Sequence, residues 1–132
     1  VYILGDEGLL YHYDGHIFTK MNIPTSYWLM SIWGTDPNNL YVVGEDGTFL
    51  HFNGKKWLNV SKERTCLFDI TGDGKGNFYT VGFGNTYTKY CNDVYEEKEL
   101  ENCRYISDIW ISPTNKIFMV GETKQPSGSD LH

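Results

Sequence analysis

The sequence predicts an all-β fold built from a repeated four-stranded unit, and three observations predict it. Aromatic residues make up 16% of the chain, ten Tyr, seven Phe and four Trp standing among 14 Gly. That composition suits short pleated strands closed by tight turns. The phrases Val1-Tyr2-Ile3-Leu4-Gly5, Leu40-Tyr41-Val42-Val43-Gly44, Phe78-Tyr79-Thr80-Val81-Gly82 and Phe118-Met119-Val120-Gly121 recur, their glycines spaced by 39, 38 and 39 residues. A second marker, Ser31-Ile32-Trp33-Gly34, Asp69-Ile70-Thr71-Gly72 and Asp108-Ile109-Trp110-Ile111, keeps the same register at spacings of 38 and 39.

Within one period, residues 28–60, four apolar or alternating runs are each closed by turn chemistry. The first, Trp28–Trp33, ends at Asp36-Pro37-Asn38-Asn39, where Pro presets one turn angle and Asn tolerates a left-handed one. The second, Leu40–Gly44, ends at Glu45-Asp46-Gly47, whose Gly suits a tight loop with positive φ. The third, Thr48–Phe52, meets Asn53-Gly54, the strongest hairpin signal in the chain, and the fourth, Lys55–Val60, carries Trp57. Asp14-Gly15 fills that turn one period earlier and Cys91-Asn92-Asp93 fills it in degenerate form one period later, followed by Phe18 and Tyr95. The expected turn chemistry is an Asx side chain bonding local amides and a Gly accepting a left-handed angle, with Trp57 or Phe18 packing between neighbouring units.

An antiparallel meander of this size cannot bury both faces alone, so it must stack on copies of itself. Four-stranded repeats of about 40 residues are the signature of a β-propeller. The strand count predicts about three blades: second to fourth strands at 1–21, full blades at 28–60 and 66–100, and two further strands at 105–121, with a divergent tail at 122–132. Closure takes about four to eight blades. The stretch is therefore expected to be a fragment of a longer polypeptide, or an arc completed by a head-to-tail partner in which Tyr105–Ile111 completes the blade at 1–21.

The net charge of −6 disfavours nucleic acid and acidic partners, because a phosphate-binding groove needs clustered Lys and Arg. No run of apolar residues is long enough to span a membrane as a helix. Cys66, Cys91 and Cys103 lack zinc-ligand spacing. Cys91 and Cys103 flank one strand and are expected to stay apart, whereas Cys66 and Cys103 both stand before innermost strands, where a disulfide is geometrically conceivable. His12, His16, His51 and His132 show no metal-ligand pattern. The 39-residue recurrence of His12 and His51 marks one half-buried strand position. Asp73-Gly74-Lys75-Gly76-Asn77 has too few acidic ligands for calcium and reads as a lengthened hairpin. Asn59-Val60-Ser61 is a sequon of little weight. No cofactor, metal site or nucleophilic triad is expected.

With these residues in hand, the unit Ser31-Ile32-Trp33-Gly34 through Leu40-Tyr41-Val42-Val43-Gly44 to Leu50-His51-Phe52-Asn53-Gly54-Lys55-Lys56-Trp57 resembles bacterial secreted propeller repeats. These are the BNR or Asp-box repeats of sialidase-like proteins and the photosystem-stability-factor-like propellers. The resemblance covers Val1 to Gly121 and implies a propeller outside the cytoplasm, extracellular or periplasmic. The Asx-Gly turns are only Asp-box-like, since Asp or Asn directly precedes Gly.

By strand alternation, fourth-to-first and second-to-third connections emerge at one end. They place Tyr27, Glu45, Asp46, Arg64, Phe83, Asn85 and Arg104 together as candidate binding residues for a protein or glycan. Asp14, Gly15, Asn53, Gly54 and Trp57 are structural. The expected function is a non-enzymatic interaction module. One alternative is a sialidase-like glycoside hydrolase, for which Arg64 and Arg104, in equivalent loops, supply two of the three arginines that the resemblance implies; each otherwise pairs with a nearby Glu such as Glu63 or Glu101. The other is a purely structural repeat of a larger assembly.

Overall fold

The computed structural model describes residues 1–62, 64–92 and 94–125; Glu63, Asp93 and residues 126–132, with His132 and most of the divergent tail, lie outside the described residues. The fold is all-β. Among the described residues thirteen strands form four small antiparallel sheets, none of them closed on itself. The first sheet comprises β1 (Tyr2–Leu4), β2 (Leu10–Tyr13) and β3 (Phe18–Lys20). The second comprises β4 (Leu29–Asp36), β5 (Asn39–Gly44), β6 (Phe49–Phe52) and β7 (Trp57–Asn59). The third comprises β8 (Leu67–Gly72), β9 (Asn77–Gly82), β10 (Thr86–Cys91) and β11 (Val94–Glu99), and the last is the hairpin β12 (Cys103–Ile111) and β13 (Ile117–Thr123). Strands pair in chain order. No helix among the described residues is long and apolar enough to cross a membrane.

The turns follow their residues, with one difference. β4 runs on to Asp36, which pairs with Asn39 across Pro37 and Asn38. The Asp36 carboxylate accepts the Asn38 amide at 2.8 Å, and neither Asn takes a positive φ. Left-handed positions occur in the second-to-third loops, at Glu7 and Gly8 (φ 52° and 68°) and at their counterparts Asp46 and Gly47 (53° and 70°), and in the first-to-second turns of the later sheets, at Gly74, Gly76 and Asn115. In the third-to-fourth turns Asp14 Oδ1 accepts the amides of His16 and Ile17 at 2.8 and 2.9 Å. Asn53 Oδ1 accepts those of Lys55 and Lys56, both at 3.0 Å. The Asp73 carboxylate likewise closes its hairpin by accepting the Lys75 and Asn77 amides.

The recurring glycine that ends each second strand has a steric cause. Gly44, Gly82 and Gly121 pair with the buried Leu29, Leu67 and Ile106. A Cβ on any of them would overlap the carbonyl of Trp28, Cys66 or Tyr105. Immediately after each pair the register shifts, so Met30, Phe68 and Ser107 are extra residues on the first strand. One β-bulge thus recurs, and it turns the next residue, Ser31, Asp69 or Asp108, toward the neighbouring sheet.

The sheets pack face on face in chain order. Leu10 of the first sheet meets Leu29 and Val42 of the second, with Trp57 partly buried at the margin. Val43 and Phe49 meet Leu67 and Ile70 of the third, and Tyr79 and Val81 meet Ile106 and Ile109 of the hairpin. Phe18, the counterpart of Trp57, is 57% exposed and stacks on Tyr13. At the second junction the Trp33 indole lies against Gly72, where a Cβ would collide with the ring. The corresponding positions of the next pair of sheets are Thr71 and Ile111, so the repeat does not conserve the sizes of the two residues there. Gly72→Ala should therefore cost about 1–3 kcal/mol, and Trp33→Thr in that background should recover part of it, as read from urea midpoints.

Candidate functional site

A cleft of ≈ 410 Å³ opens where the connection from β3 to β4 and the end of β7 meet the loop between β5 and β6; its walls include Pro24, Tyr27, Asp46, Ser61, Lys62 and Arg64. Each wall is held locally. Thr25 Oγ1 accepts the Tyr27 amide at 3.2 Å. Ser61 Oγ accepts the Phe49 amide at 3.1 Å, tying the strand that leaves β7 to β6. The Glu45 carboxylate accepts the Trp28 amide at 3.1 Å, so Glu45 closes the base of the loop and leaves Asp46 at its tip. Gly47 and the hydrogen bond from Thr48 Oγ1 to the Glu45 carbonyl hold that tip in its left-handed turn.

The Tyr27 hydroxyl donates to the Asp46 carboxylate. That hydrogen bond, the Asp46 charge and burial raise the phenol above its ordinary value, against an opposing pull from Arg64. Tyr27 therefore stays protonated at neutral pH and presents a neutral hydroxyl between a carboxylate and a guanidinium. Arg64 is exposed, with no ion-pair partner among the described residues. Lys62 lies over the Tyr95 ring, 4.8 Å from its centroid, and bridges from this cleft toward the third sheet.

Of the seven candidate residues, Tyr27, Asp46 and Arg64 come together here with Glu45 behind them. Phe83, Asn85 and Arg104 belong to the next junction. Phe83 stacks on Tyr105 with centroids 6.4 Å apart, and the Asn85 carbonyl accepts the Leu100 amide at 2.7 Å. Arg104 is not in a loop equivalent to that of Arg64. β13 runs far enough to pair Thr123 with Cys103, which draws Arg104 into β12 as the extra residue at a register shift. Its guanidinium bonds Glu122 at 3.1 Å, and Glu122 also accepts the Tyr105 hydroxyl. Lys62 and Ser61 also line the cleft, although an exposed loop lysine or serine carries no sequence signal of convergence. His51 sits with its Nε2 2.7 Å from Asn39 Oδ1 and its ring stacked on Tyr41 at 4.1 Å.

The residues after the bulges form a second polar feature. Ser31 Oγ donates to Asp69 Oδ1 at 2.7 Å, and Asp69 Oδ2 accepts the Ile109 amide at 2.9 Å, so one carboxyl links three first strands. Burial, then the hydrogen bond with the Asp108 carboxyl, raises Asp69 above the ordinary carboxyl value, while bonds from Ile109, Ser31 and Ile70 oppose the rise. Among the described residues no group of three His, Cys, Asp or Glu side chains is placed to hold a metal. All three cysteines are free, so Cys66 and Cys103 are not bridged. No protein-family model matches the chain, and no curated protein sequence matches it.

Two outcomes follow from these environments. Because folding raises the Asp69 carboxyl, its stabilising contribution is fully present below the ordinary value and is lost as pH rises through the folded one. Asp69→Asn keeps the acceptor for Ile109 and should flatten the fall in stability above the ordinary carboxyl value of about 4. Asp69→Ala orphans the Ile109 amide and should cost about 1–3 kcal/mol; urea midpoints at mildly acidic and neutral pH read both. Burial, and secondarily the Glu45 charge, pushes the Cys66 thiol up, so alkylation of unreduced protein should modify the exposed Cys91 well before Cys66, as followed by peptide mass mapping.

Proposed function

We propose that the four sheets are consecutive blades of a β-propeller acting outside the cytoplasm as a non-enzymatic binding module, and that the cleft of Tyr27, Asp46 and Arg64 receives a protein or glycan ligand. The propeller reading is supported by the single period, the recurrent bulge and the in-order stacking of sheets. One observation carries the binding reading. Three loop residues from different connections converge on one cleft, where a neutral hydroxyl, a carboxylate and a guanidinium offer donors and acceptors to a polar ligand. Recognition on loops held by a rigid scaffold is the usual division of labour.

A sialidase-like hydrolase is the second reading, because a tyrosine hydroxyl held on a carboxylate beside an arginine is the pairing that such chemistry needs. Against it, Arg104 is tied to Glu122 at another junction. The test is a glycan array probed with the purified chain. Retention of a glycan should fall at least about tenfold, the scale of a hot-spot truncation, in Arg64→Ala and in Asp46→Ala, and stay unchanged in Arg104→Ala. Equal retention in all three variants removes the cleft from the reading, and turnover of a fluorogenic sialoside that Tyr27→Phe abolishes replaces it with the hydrolase.

A further inference from the structure

Beside the apolar core that the second and third sheets share lies a cleft of ≈ 380 Å³, and its walls carry six rings: Tyr41, Phe49, His51, Phe78, Tyr90 and Tyr95. The rings hold one another in place. Tyr41 packs on His51 and on Phe78, with centroids 4.1 and 4.5 Å away. Tyr90 stacks on Phe78 at 4.7 Å, meets Phe49 edge to face at 5.3 Å and has Tyr95 beside it at 6.1 Å. The first junction shows how the repeat otherwise closes this place: Ile23 and Trp57, the counterparts of Lys62 and Tyr95 one period earlier, pack on the core of Leu10, Leu29 and Val42. The second junction puts a cation and a smaller ring there. Lys62 Nζ lies over the Tyr95 ring, 4.8 Å from its centroid, and Tyr95 is 48% exposed. Lys62 has no ion-pair partner among the described residues, and none of the described side chains lining the cleft is a carboxylate. What this cleft offers a cation is therefore aromatic surface, and its own lysine already uses it.

We propose that this cleft binds a small methylated ammonium compound of the choline class, whose cationic head displaces the Lys62 ammonium from the Tyr95 ring. A primary ammonium is strongly hydrated and needs a carboxylate to replace its water. A trimethylated one holds water weakly and gains most from ring faces, which is the recognition that aromatic cages use. The exposed Lys62 side chain is free to turn outward into solvent once displaced. The cleft has the size of a small-molecule site, and the net charge of −6 draws cations toward the molecule. Among the described residues the loop cleft of Tyr27, Asp46 and Arg64 shares only Lys62 with this one. The site therefore stands whatever the loop cleft receives.

NMR titration of the purified chain with choline tests this, alongside its uncharged isostere in which a tert-butyl group replaces the trimethylammonium. Choline should bind saturably and shift the Tyr95 ring signals, with the isostere about threefold to thirtyfold weaker, the range that a cation over a ring spans. Tyr95→Ala should weaken choline at least about threefold, and Tyr95→Phe, which keeps the ring face, should not. Lys62→Gln removes the internal competitor and should strengthen choline binding about threefold or more. Arg64→Ala should leave it unchanged. Circular dichroism and urea midpoints of these exposed-position variants should match the parent. Absence of saturation, equal binding of choline and its isostere, or weaker binding in Lys62→Gln overturns the proposal. Tighter binding of a peptide carrying trimethyllysine than of choline overturns the small-molecule carrier.

Discussion

A thin antiparallel sheet with apolar residues on both faces has no inside of its own, and the whole molecule is organised around that deficit. Each core cluster lies between two sheets, so its side chains owe their burial to residues of the neighbouring sheet. The requirement reaches down to single atoms. The bulge beside Gly44, Gly82 and Gly121 lets a carbonyl lean over the second strand, which is possible only where no Cβ stands in the way. Size matching is seen where the Trp33 indole lies on Gly72, a place that leaves no room for a Cβ.

Polar groups obey the same constraint. Asp69 carries a carboxyl group into a junction, and the cost of burying it is offset by one hydroxyl and two amides from three different first strands. The carboxyl of Asp108 beside it gives the pair a reason to keep a proton. Such a bracket aligns neighbouring first strands more specifically than apolar contact, which is tolerant of sliding. A frame aligned in this way holds the loops at its ends in fixed relation to one another.

The cleft of Tyr27, Asp46 and Arg64 is a product of that alignment. Its residues come from three connections, none of which has a core of its own. Asp46 is held in a left-handed conformation, an arrangement that Glu7 shares one period earlier. The turn itself is therefore a property of the repeat. Lys62 and Arg64 bring cations to the copy that carries Asp46.

The periodic part of this protein was legible from its residues alone. Strand order and the Asx-Gly turns arise from contacts between residues close in sequence, the recurrent glycine from a contact within one sheet, and a repeat displays each of them several times. Tertiary structure alone decided which residues meet across a junction. Ser31, Asp69 and Asp108 look like register markers in the sequence and act as brackets in the fold. Arg64 and Arg104 look alike in sequence, yet one lines a cleft and the other is drawn into a strand by the length of β13. The reason is physical: turn chemistry is settled within a few bonds, whereas convergence of side chains nearly forty residues apart depends on how far each strand pairs and how the sheets lean on one another.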